Sequence, residues 1–173
     1  GVKPIFGVDL MVMDADDPER AYPLCLLAMN QAGYRNLTLL ISRAYTQGQH
    51  LGVPYVSKSW LEDACEGVIA LSAGAVGDVG QALLGERAAL AVERARYWMK
   101  LYPERFYLEL HRTGREGDES HLHAAVKLAQ ELQCPVVATN DVRFLTANEF
   151  EAHEARVCIR EGRTLDDPRR ARH

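Results

Sequence analysis

The side chains most able to do chemistry follow short apolar runs of the chain. An aspartate at the end of such a strand is a common position for a metal ligand in barrel enzymes. Four places combine reactive or small residues with a strand end, and they are Asp9, 72–78 (SAGAVGD), 109–114 (ELHRTG) and 139–143 (TNDVR). In parallel α/β folds the carboxyl ends of the strands meet at one edge. We therefore expect these four places to lie at the same edge of a sheet.

Residues two apart along a strand point to the same side of the sheet. Glu109 and His111 therefore share a face, and Asp141 and Arg143 share a face on another strand. Glu109 and His111 could bind a metal or transfer a proton, although a hydrogen-bonded structural pair is the more common role for a histidine there. We treat both as candidate residues at the opening of the site.

The other histidines of the central and last helical segments are weaker candidates. His121 and His123 form an HxH pattern, but they lie in a helical segment, where residues two apart point about 200° away from each other. They cannot hold one ion together, and helix histidines at or near the surface are the simpler interpretation. His153 lies in the middle of another helical segment, which favours a packing or capping role.

Two loops could hold an anion. Small residues at 72–78 precede a helix and could present backbone amides to a phosphate, but the loop lacks the lysine and hydroxyl of a P-loop, and a tight turn is the more common use. Arg112 and Arg115 could also bind an anion, although loop arginines are usually solvated. The four cysteines form no CxxC pair and lie among mostly apolar residues. This pattern indicates reduced thiols that pack as small hydrophobic side chains.

Hydrophobic periodicity predicts the elements that position these residues. Alternating apolar residues predict a hairpin of strands 3–13 and 22–29, joined by a turn at 14–20. Apolar spacings of three and four then predict a helix over 30–48. A loop is expected at 48–57.

Beyond that loop, helices alternate with strands, which predicts parallel pairing through right-handed crossovers. The predicted order is helix 59–65, strand 67–72, helices 79–84 and 86–101, strand 105–110, helix 119–132, strand 135–139 and helix 147–160. Thr146 and Glu149 have the spacing of a capping box at the start of the last helix.

Composition limits the class of protein. The 173 residues are 47% hydrophobic, which predicts one compact domain over 1–173. A net charge of −4 disfavours a general nucleic-acid surface. There is no apolar run of about 20 residues for a membrane span and no signal peptide, so we expect a cytoplasmic protein without a membrane partner. The abrupt start in a strand and the polar end suggest a segment of a longer chain.

Several stretches together resemble one protein family. They are GVKPIFGVDL, GYRNLTLLIS, EGVIALSAGAVGDVGQALL, FYLELHRTGREGDESHLHAAVKLA and PVVATNDVRF. In order and spacing they resemble the polymerase-and-histidinol-phosphatase (PHP) domains of the alpha subunits of bacterial DNA polymerase III, in their proteobacterial form. The resemblance implies an α/β fold, an incomplete PHP-type distorted TIM-like barrel of seven strands. It also implies that the first strands, the end of the domain and the polymerase domains lie outside this segment.

The resemblance also implies a degenerate metal site. Metal-binding PHP domains hold ions with side chains at strand ends, and this chain departs from their pattern. The degenerate positions are Asp9, where the family has glutamate; Pro23, where it has histidine; Gly74, where it has cysteine; and the pair Asp141 and Arg143, where it has Asp-x-His. A guanidinium has no lone pair to donate. We therefore expect no metal and no catalytic residue here, and a salt bridge among Asp9, Asp141 and Arg143 instead.

The family implies a non-catalytic scaffold in a DNA-directed DNA polymerase, a nucleotidyltransferase of DNA replication. Expected partners are the proofreading exonuclease subunit and the rest of the polymerase III alpha chain, with the sliding clamp and DNA contacted through other parts of that chain. Mg²⁺ is expected only in the polymerase domain. The alternatives are an active metal-dependent phosphoesterase, either a 3′–5′ exonuclease or a pyrophosphatase, and an unrelated anion-binding or sugar-phosphate enzyme that shares only the fold.

Overall fold

The computed structural model describes residues 1–14, 17 and 19–169. They form two compact units, Gly1–Thr139 and Asn140–His173. The predicted single domain over 1–173 stays a prediction. No helix in the described ranges is both long and apolar enough to cross a membrane.

The first unit contains a seven-stranded mixed sheet. Its strands are β1 (Gly7–Met13), β2 (Ala21–Ala28), β3 (Gln49–His50), β4 (Val53–Val56), β5 (Val68–Leu71), β6 (Phe106–Leu110) and β7 (Val136–Ala138). The order across the sheet is β3-β4-β1-β2-β5-β6-β7. Among the described residues the sheet is open, with β3 at one edge and β7 at the other. The predicted α/β class is confirmed, whereas the predicted barrel is not.

The predicted hairpin is confirmed, because β1 and β2 pair antiparallel from Gly7 and Leu27 to Met13 and Ala21, although the first strand begins at Gly7 rather than at residue 3. One face of each strand is apolar and buried, as Leu10 and Leu24 illustrate with exposed fractions of 8% and 1%. This alternation buries one sheet face beneath the helices and leaves the other face for the candidate site. The predicted turn at 14–20 falls partly on residues 15, 16 and 18, which lie outside the described residues.

Helix α1 (Gln31–Gln47) begins at a sequence-encoded cap and ends at Gly48, as predicted. The side chain of Asn30 accepts a hydrogen bond from the Gly33 amide, which satisfies one of the free donors of the first turn. Gly33 is needed for packing, because a Cβ there would lie 1.8 Å from the carbonyl oxygen of Gly67. The helix therefore packs closely against the turn that enters β5.

The prediction of a loop at 48–57 is wrong, because strands β3 and β4 form a tight hairpin there. Leu51 and Gly52 both adopt positive φ values, 50° and 81°, which close the turn between the strands. β4 joins the sheet through parallel pairing with Met11 and Val12 of β1. The stretch is too short to show a sequence period, and Pro54 weakens its strand signal, so only pairing with β1 reveals it.

The alternating helices and strands after residue 57 are confirmed, with boundaries within about two residues of those predicted, except that the last α-helix begins at Phe150 rather than at 147. The remaining helices of the first unit are α2 (Lys58–Asp63), α3 (Asp78–Leu84), α4 (Ala88–Leu101) and α5 (Asp118–Leu132). The pairings of β5 with β6 and of β6 with β7 are parallel, as predicted. The core beneath the sheet is centred on Trp98, Tyr102 and Phe106, each no more than 2% exposed.

Among its described residues, the second unit contains a loop, a short 3-10 turn (Ala147–Glu149) and helix α6 (Phe150–Glu161), followed by a segment without helix or strand. The predicted capping box is confirmed, because Thr146 and Glu149 exchange side-chain-to-backbone hydrogen bonds. Phe144 packs edge-on against Phe150, with ring centroids 6.0 Å apart. These contacts fix the loop against the first turn of α6.

Candidate functional site

Glu109, near the carboxyl end of β6, is the centre of a small polar cluster in the first unit. Its carboxylate accepts a hydrogen bond from the Thr139 hydroxyl at 2.5 Å, and its Oε1 lies 3.4 Å from Nε2 of His111. The parallel pairing of β6 with β7 brings Thr139 to this point. Only 8% of Glu109 is exposed. The structure thus brings Glu109 and His111 together, and a buried acceptor of this kind is well suited to orient the imidazole.

Gly74 lies directly against His111. It adopts a φ of +56°, and a Cβ added there would lie 2.7 Å from Nδ1 of the imidazole. A side chain at this position would meet both a strained backbone and an occupied space. His111 therefore fills the space that a cysteine at position 74 would need.

The loop 72–78 is a tight turn that packs against the end of β5. A Cβ at Gly77 would lie 1.8 Å from the carbonyl oxygen of Ser72. The Ser72 hydroxyl in turn accepts a hydrogen bond from the Glu109 amide at 2.9 Å. Asp78 begins α3, and its carboxylate accepts a hydrogen bond from the Val79 amide. A carboxylate of the chain itself therefore occupies the helix start where a phosphate was considered.

The histidines of α5 have separate surroundings, as their helical spacing predicts, but the expectation of a position at or near the surface is wrong for His121. His121 is 2% exposed, whereas the His123 side chain is 78% exposed and lies 3.9 Å from Glu119. Burial lowers the pKa of His121, and the nearby His111 lowers it further. Arg112 forms a short ion pair with Glu119 at 2.6 Å on the surface, so this arginine has a protein partner.

Asp9 and Cys25 face each other across the β1–β2 hairpin. Asp9 is exposed, and Cys25 is half-buried. Burial, together with the negative charges of Asp9 and Glu109, raises the pKa of the Cys25 thiol to about 12. The thiol therefore stays protonated at neutral pH, which is the opposite of what an activated nucleophile requires.

Pro23 lies on the same hairpin opposite Met11. It is half-buried, and its side chain has no atom that can bind a metal.

All four cysteines are free thiols, and Cys134 and Cys158 are buried.

Asp141 and Arg143 form a bidentate ion pair in the second unit. Nε of Arg143 lies 2.9 Å from Oδ1 of Asp141, and an Nη atom lies 3.0 Å from Oδ2. Their side chains are 52% and 27% exposed for Arg143 and Asp141 respectively. The strand-like spacing of two residues allows this fork geometry. The participation of Asp9 in this salt bridge stays a prediction, as does the proposal that the pair replaces a metal.

The described part of the chain contains no group of three or more histidine, cysteine, aspartate or glutamate residues arranged to hold a metal ion. Glu109, Asp78 and Asp141 instead accept hydrogen bonds or form ion pairs with neighbouring side chains. Their arrangement can position an imidazole and hold an arginine, and it provides no complete first coordination sphere.

A buried ion-pair network at the end of β1 is absent from the sequence-based candidates. An Nη atom of Arg94 lies 2.6 Å from Oδ2 of Asp14, and the other Nη donates to the carbonyl oxygen of Asp78 at 2.8 Å. The Asp78 carboxylate accepts from Nε1 of Trp98 at 3.0 Å. Burial raises the pKa of Asp78, although Trp98, Lys58 and Arg94 oppose that shift.

One sequence signal could have revealed this network. Arg94 lies among Ala91, Ala95 and Trp98, on the apolar stripe of α4. A charged residue on such a stripe indicates a buried partner. The identity of that partner, 80 residues away, has no local signal.

Comparison with known proteins gives a consistent set of relatives. The PHP domain model matches residues 1–113. The chain is 54% identical over 172 residues to the DNA polymerase III subunit alpha of Pseudomonas aeruginosa, covering 99% of this chain and 15% of that protein. It is 49% identical over 173 residues to the same subunit of Escherichia coli K12 and 46% identical over 173 residues to that of Vibrio cholerae. These two alignments include the whole of this chain but only 15% of the length of each relative.

Proposed function

The chain belongs to the PHP domain family, and from that premise we propose that it is the PHP segment of a DNA polymerase III alpha subunit, acting as a non-catalytic scaffold. Its identity to alpha subunits over nearly its whole length supports the parent protein. The parent chain would be a DNA-directed DNA polymerase of DNA replication, with Mg²⁺ in its polymerase domain. It would act in the bacterial cytoplasm.

The bidentate pair of Asp141 with Arg143 is the observation that carries the scaffold role. Active PHP domains have histidine where Arg143 stands, and a guanidinium is permanently protonated and cannot bind a metal. It can instead hold Asp141 by charge. A metal ion at this place would have to displace a fixed positive charge from its carboxylate ligand.

Two further positions support the same conclusion. Pro23 offers no ligand atom, and Gly74 has the ring of His111 where a side chain would go. Because these positions lie on different elements of the first unit, reversal of a single substitution would not rebuild a site. On this proposal, changes in several elements together would account for the loss of a metal cluster.

We propose that the domain binds the proofreading exonuclease subunit and packs against the rest of the alpha chain. The sliding clamp and DNA would be contacted by other parts of that chain. The negative charge of −4 supports this division, because a segment with this charge has no general attraction for a phosphate backbone.

The binding role can be tested with the full-length alpha chain and its purified exonuclease subunit. We expect the two proteins to elute together from a size-exclusion column. We expect the same co-elution when the active-site aspartates of the polymerase domain are substituted. Failure to bind at about micromolar concentration, where a specific interface should form, would contradict the scaffold role.

The absence of metal chemistry needs a separate test. We expect purified full-length chain, dialysed without chelator, to lack stoichiometric zinc and manganese by inductively coupled plasma mass spectrometry. We also expect no release of phosphate from pyrophosphate beyond that of a heat-denatured control. Phosphate release that Asp141→Ala abolishes would favour the active phosphoesterase instead.

A further inference from the structure

The second unit contains a groove along one face of α6 that the proposed scaffold role does not use. Its volume is about 310 Å³, and its lining residues are Arg143, His153, Arg156, Val157 and Arg160. Three of the five are arginines. Several positive charges in one concave surface must be screened by solvent or neutralised by a bound anion.

Helical geometry explains why these residues meet. His153, Arg156 and Arg160 are spaced by three and four residues, so they lie within about 60° of one another around α6. Arg143 comes from the loop before the helix. It already donates to Asp141 through Nε and one Nη, which fixes its guanidinium and leaves further N–H groups for another acceptor.

His153 provides an independent indication of a ligand. It is 7% exposed, and its Nδ1 lies 2.9 Å from an Nη atom of Arg156. A guanidinium only donates, so Nδ1 is the acceptor and Nε2 carries the hydrogen. That Nε2 is buried and has no hydrogen-bond partner among the described residues. A buried donor without a partner is costly, and because His153 also lines the groove, its unsatisfied donor indicates an acceptor that is not part of the protein.

We propose that this groove binds a phosphate group carrying two negative charges, either inorganic or at the end of a nucleotide chain. Guanidinium groups match the oxygen spacing of phosphate and form paired hydrogen bonds with it. Arg156 and Arg160 contact the oxygens from α6, Arg143 from the loop, and Nε2 of His153 donates to the innermost oxygen after a small movement of the ring.

The neighbouring charges favour this groove over the cavity beside it. Two carboxylates neutralise part of the positive charge, because Glu161 lies 4.0 Å from Arg160 and Asp141 pairs with Arg143. Since the lining has three arginines, the groove keeps a net positive charge. The adjacent cavity shares Arg143, His153 and Arg156 but also contains Glu149. A carboxylate in that lining would repel a phosphate, and Glu149 is already used by the capping box.

The test is a calorimetric titration of the full-length chain, with EDTA present to remove metal-dependent phosphate binding elsewhere. The probes are orthophosphate, pyrophosphate and a short oligonucleotide with or without a 5′-phosphate. We expect Arg156→Gln to weaken binding by about tenfold or more, because it removes a charged hydrogen-bond donor. Arg156→Lys should bind more tightly than Arg156→Gln but less tightly than the native protein, since lysine keeps the charge and lacks the planar guanidinium that donates paired hydrogen bonds.

Substitutions of His153 distinguish a direct contact with the phosphate from a general electrostatic attraction to the groove. His153→Phe keeps a ring beside Phe144 but removes Nε2, and we expect it to weaken phosphate binding several-fold, by roughly the value of one hydrogen bond to a charged group. His153→Gln retains an amide donor and should bind more tightly than the phenylalanine variant. The matched control is Arg96→Gln, an exposed arginine of α4, which should leave the affinity unchanged.

Two results would overturn the site. One is no phosphate binding at about millimolar concentration, and the other is equal weakening by Arg156→Gln and Arg96→Gln. Binding of only the 5′-phosphorylated oligonucleotide would identify a nucleic-acid end as the source, and binding of the inorganic probes would identify free phosphate. The site is independent of exonuclease binding, so loss of that interaction would leave it intact.

Discussion

Two carboxylate–arginine pairs follow parallel strands of this protein, and they differ in burial. Asp14 follows β1 and meets Arg94 at 2.6 Å, with side chains only 5% and 9% exposed. Asp141 follows β7 and meets Arg143 at 2.9 Å, with side chains 27% and 52% exposed. The first pair lies in the core of its unit, where a lost partner cannot be replaced by water. The second lies where water can compete.

The comparison shows that position at a strand end does not determine the role of a carboxylate. The Arg94 guanidinium also donates to the Asp78 carbonyl oxygen, so it ties β1 to α3 and α4. Arg143 makes its pair within a loop of the second unit and lines a groove. We therefore expect the buried pair to affect stability and the exposed pair to affect binding.

The largest effect is expected from Arg94→Met. Breaking a buried ion pair by removal of one partner costs about 3–5 kcal/mol, because the charge of Asp14 remains in the core. Hydrogen exchange of α4 peptides in the full-length chain would measure this loss as faster exchange. The matched control is Arg96→Met, two residues away on the exposed side of α4. If both variants exchange alike, the burial argument is wrong.

An intermediate effect is expected from Gly74→Ala. The added Cβ would meet the His111 ring at 2.7 Å and would sit on a backbone with φ of +56°. Backbone strain of this kind costs about 1–3 kcal/mol, and the contact adds to it. Hydrogen exchange of β5 and β6 peptides would report the change.

Gly114→Ala is the matched control for that substitution. Gly114 also has a positive φ, +83°, but nothing lies within 4 Å of its missing Cβ. It should therefore cost less than Gly74→Ala. Equal costs would show that backbone strain alone explains the effect and that His111 does not fill the position.

A smaller effect is expected from the ionisation of Asp78. Burial raises its pKa above the ordinary value of 3.8, despite opposing hydrogen bonds and charges. The folded protein therefore binds this proton more tightly than the unfolded chain does. The stability that Asp78 contributes is fully present below its unfolded pKa and is lost as the pH rises through its folded pKa.

Asp78→Asn removes this titration while keeping an oxygen that can accept from Trp98. We expect the difference in α3 and α4 exchange between native protein and variant to change with pH from about pH 4 upward. A difference that stays constant over that range would mean that Asp78 does not titrate with a raised pKa.

The smallest effect on stability is expected from Arg143→Gln. Exposed ion pairs contribute about 0–1 kcal/mol, so hydrogen exchange of the α6 peptides should change little. The same substitution should clearly weaken phosphate binding, since Arg143 lines the groove. A large loss of α6 protection would instead give this pair the structural role of the buried one.

Much of the fold could be predicted from the sequence. The hairpin of β1 and β2, the capped helix α1 and the capping box before α6 all depend on signals within a few residues. The two strands at 49–56 could not be predicted, because their pairing with β1 is decided by residues far away in the chain. Closure of a barrel is likewise a property of the whole sheet.

The candidate site also has features that the sequence predicts and features that only the structure shows. Spacing alone indicated that Glu109 and His111 share a face and that Asp141 can reach Arg143. It gave no indication that Thr139 donates to Glu109 or that His111 fills the space at Gly74. Nor did it distinguish His121, which is buried, from His123, which is exposed.

The sequence by itself therefore determined the helices, most strands, the family resemblance and the chemical types at each strand end. Local dihedral preferences, caps and periodicity act over one or two turns, so they can be read from neighbouring residues. Only the tertiary structure decided that Arg94 pairs with Asp14 across 80 residues and that His153 is left with a buried donor beside three arginines. Burial and partner choice depend on the register and packing of whole elements, which no local pattern contains.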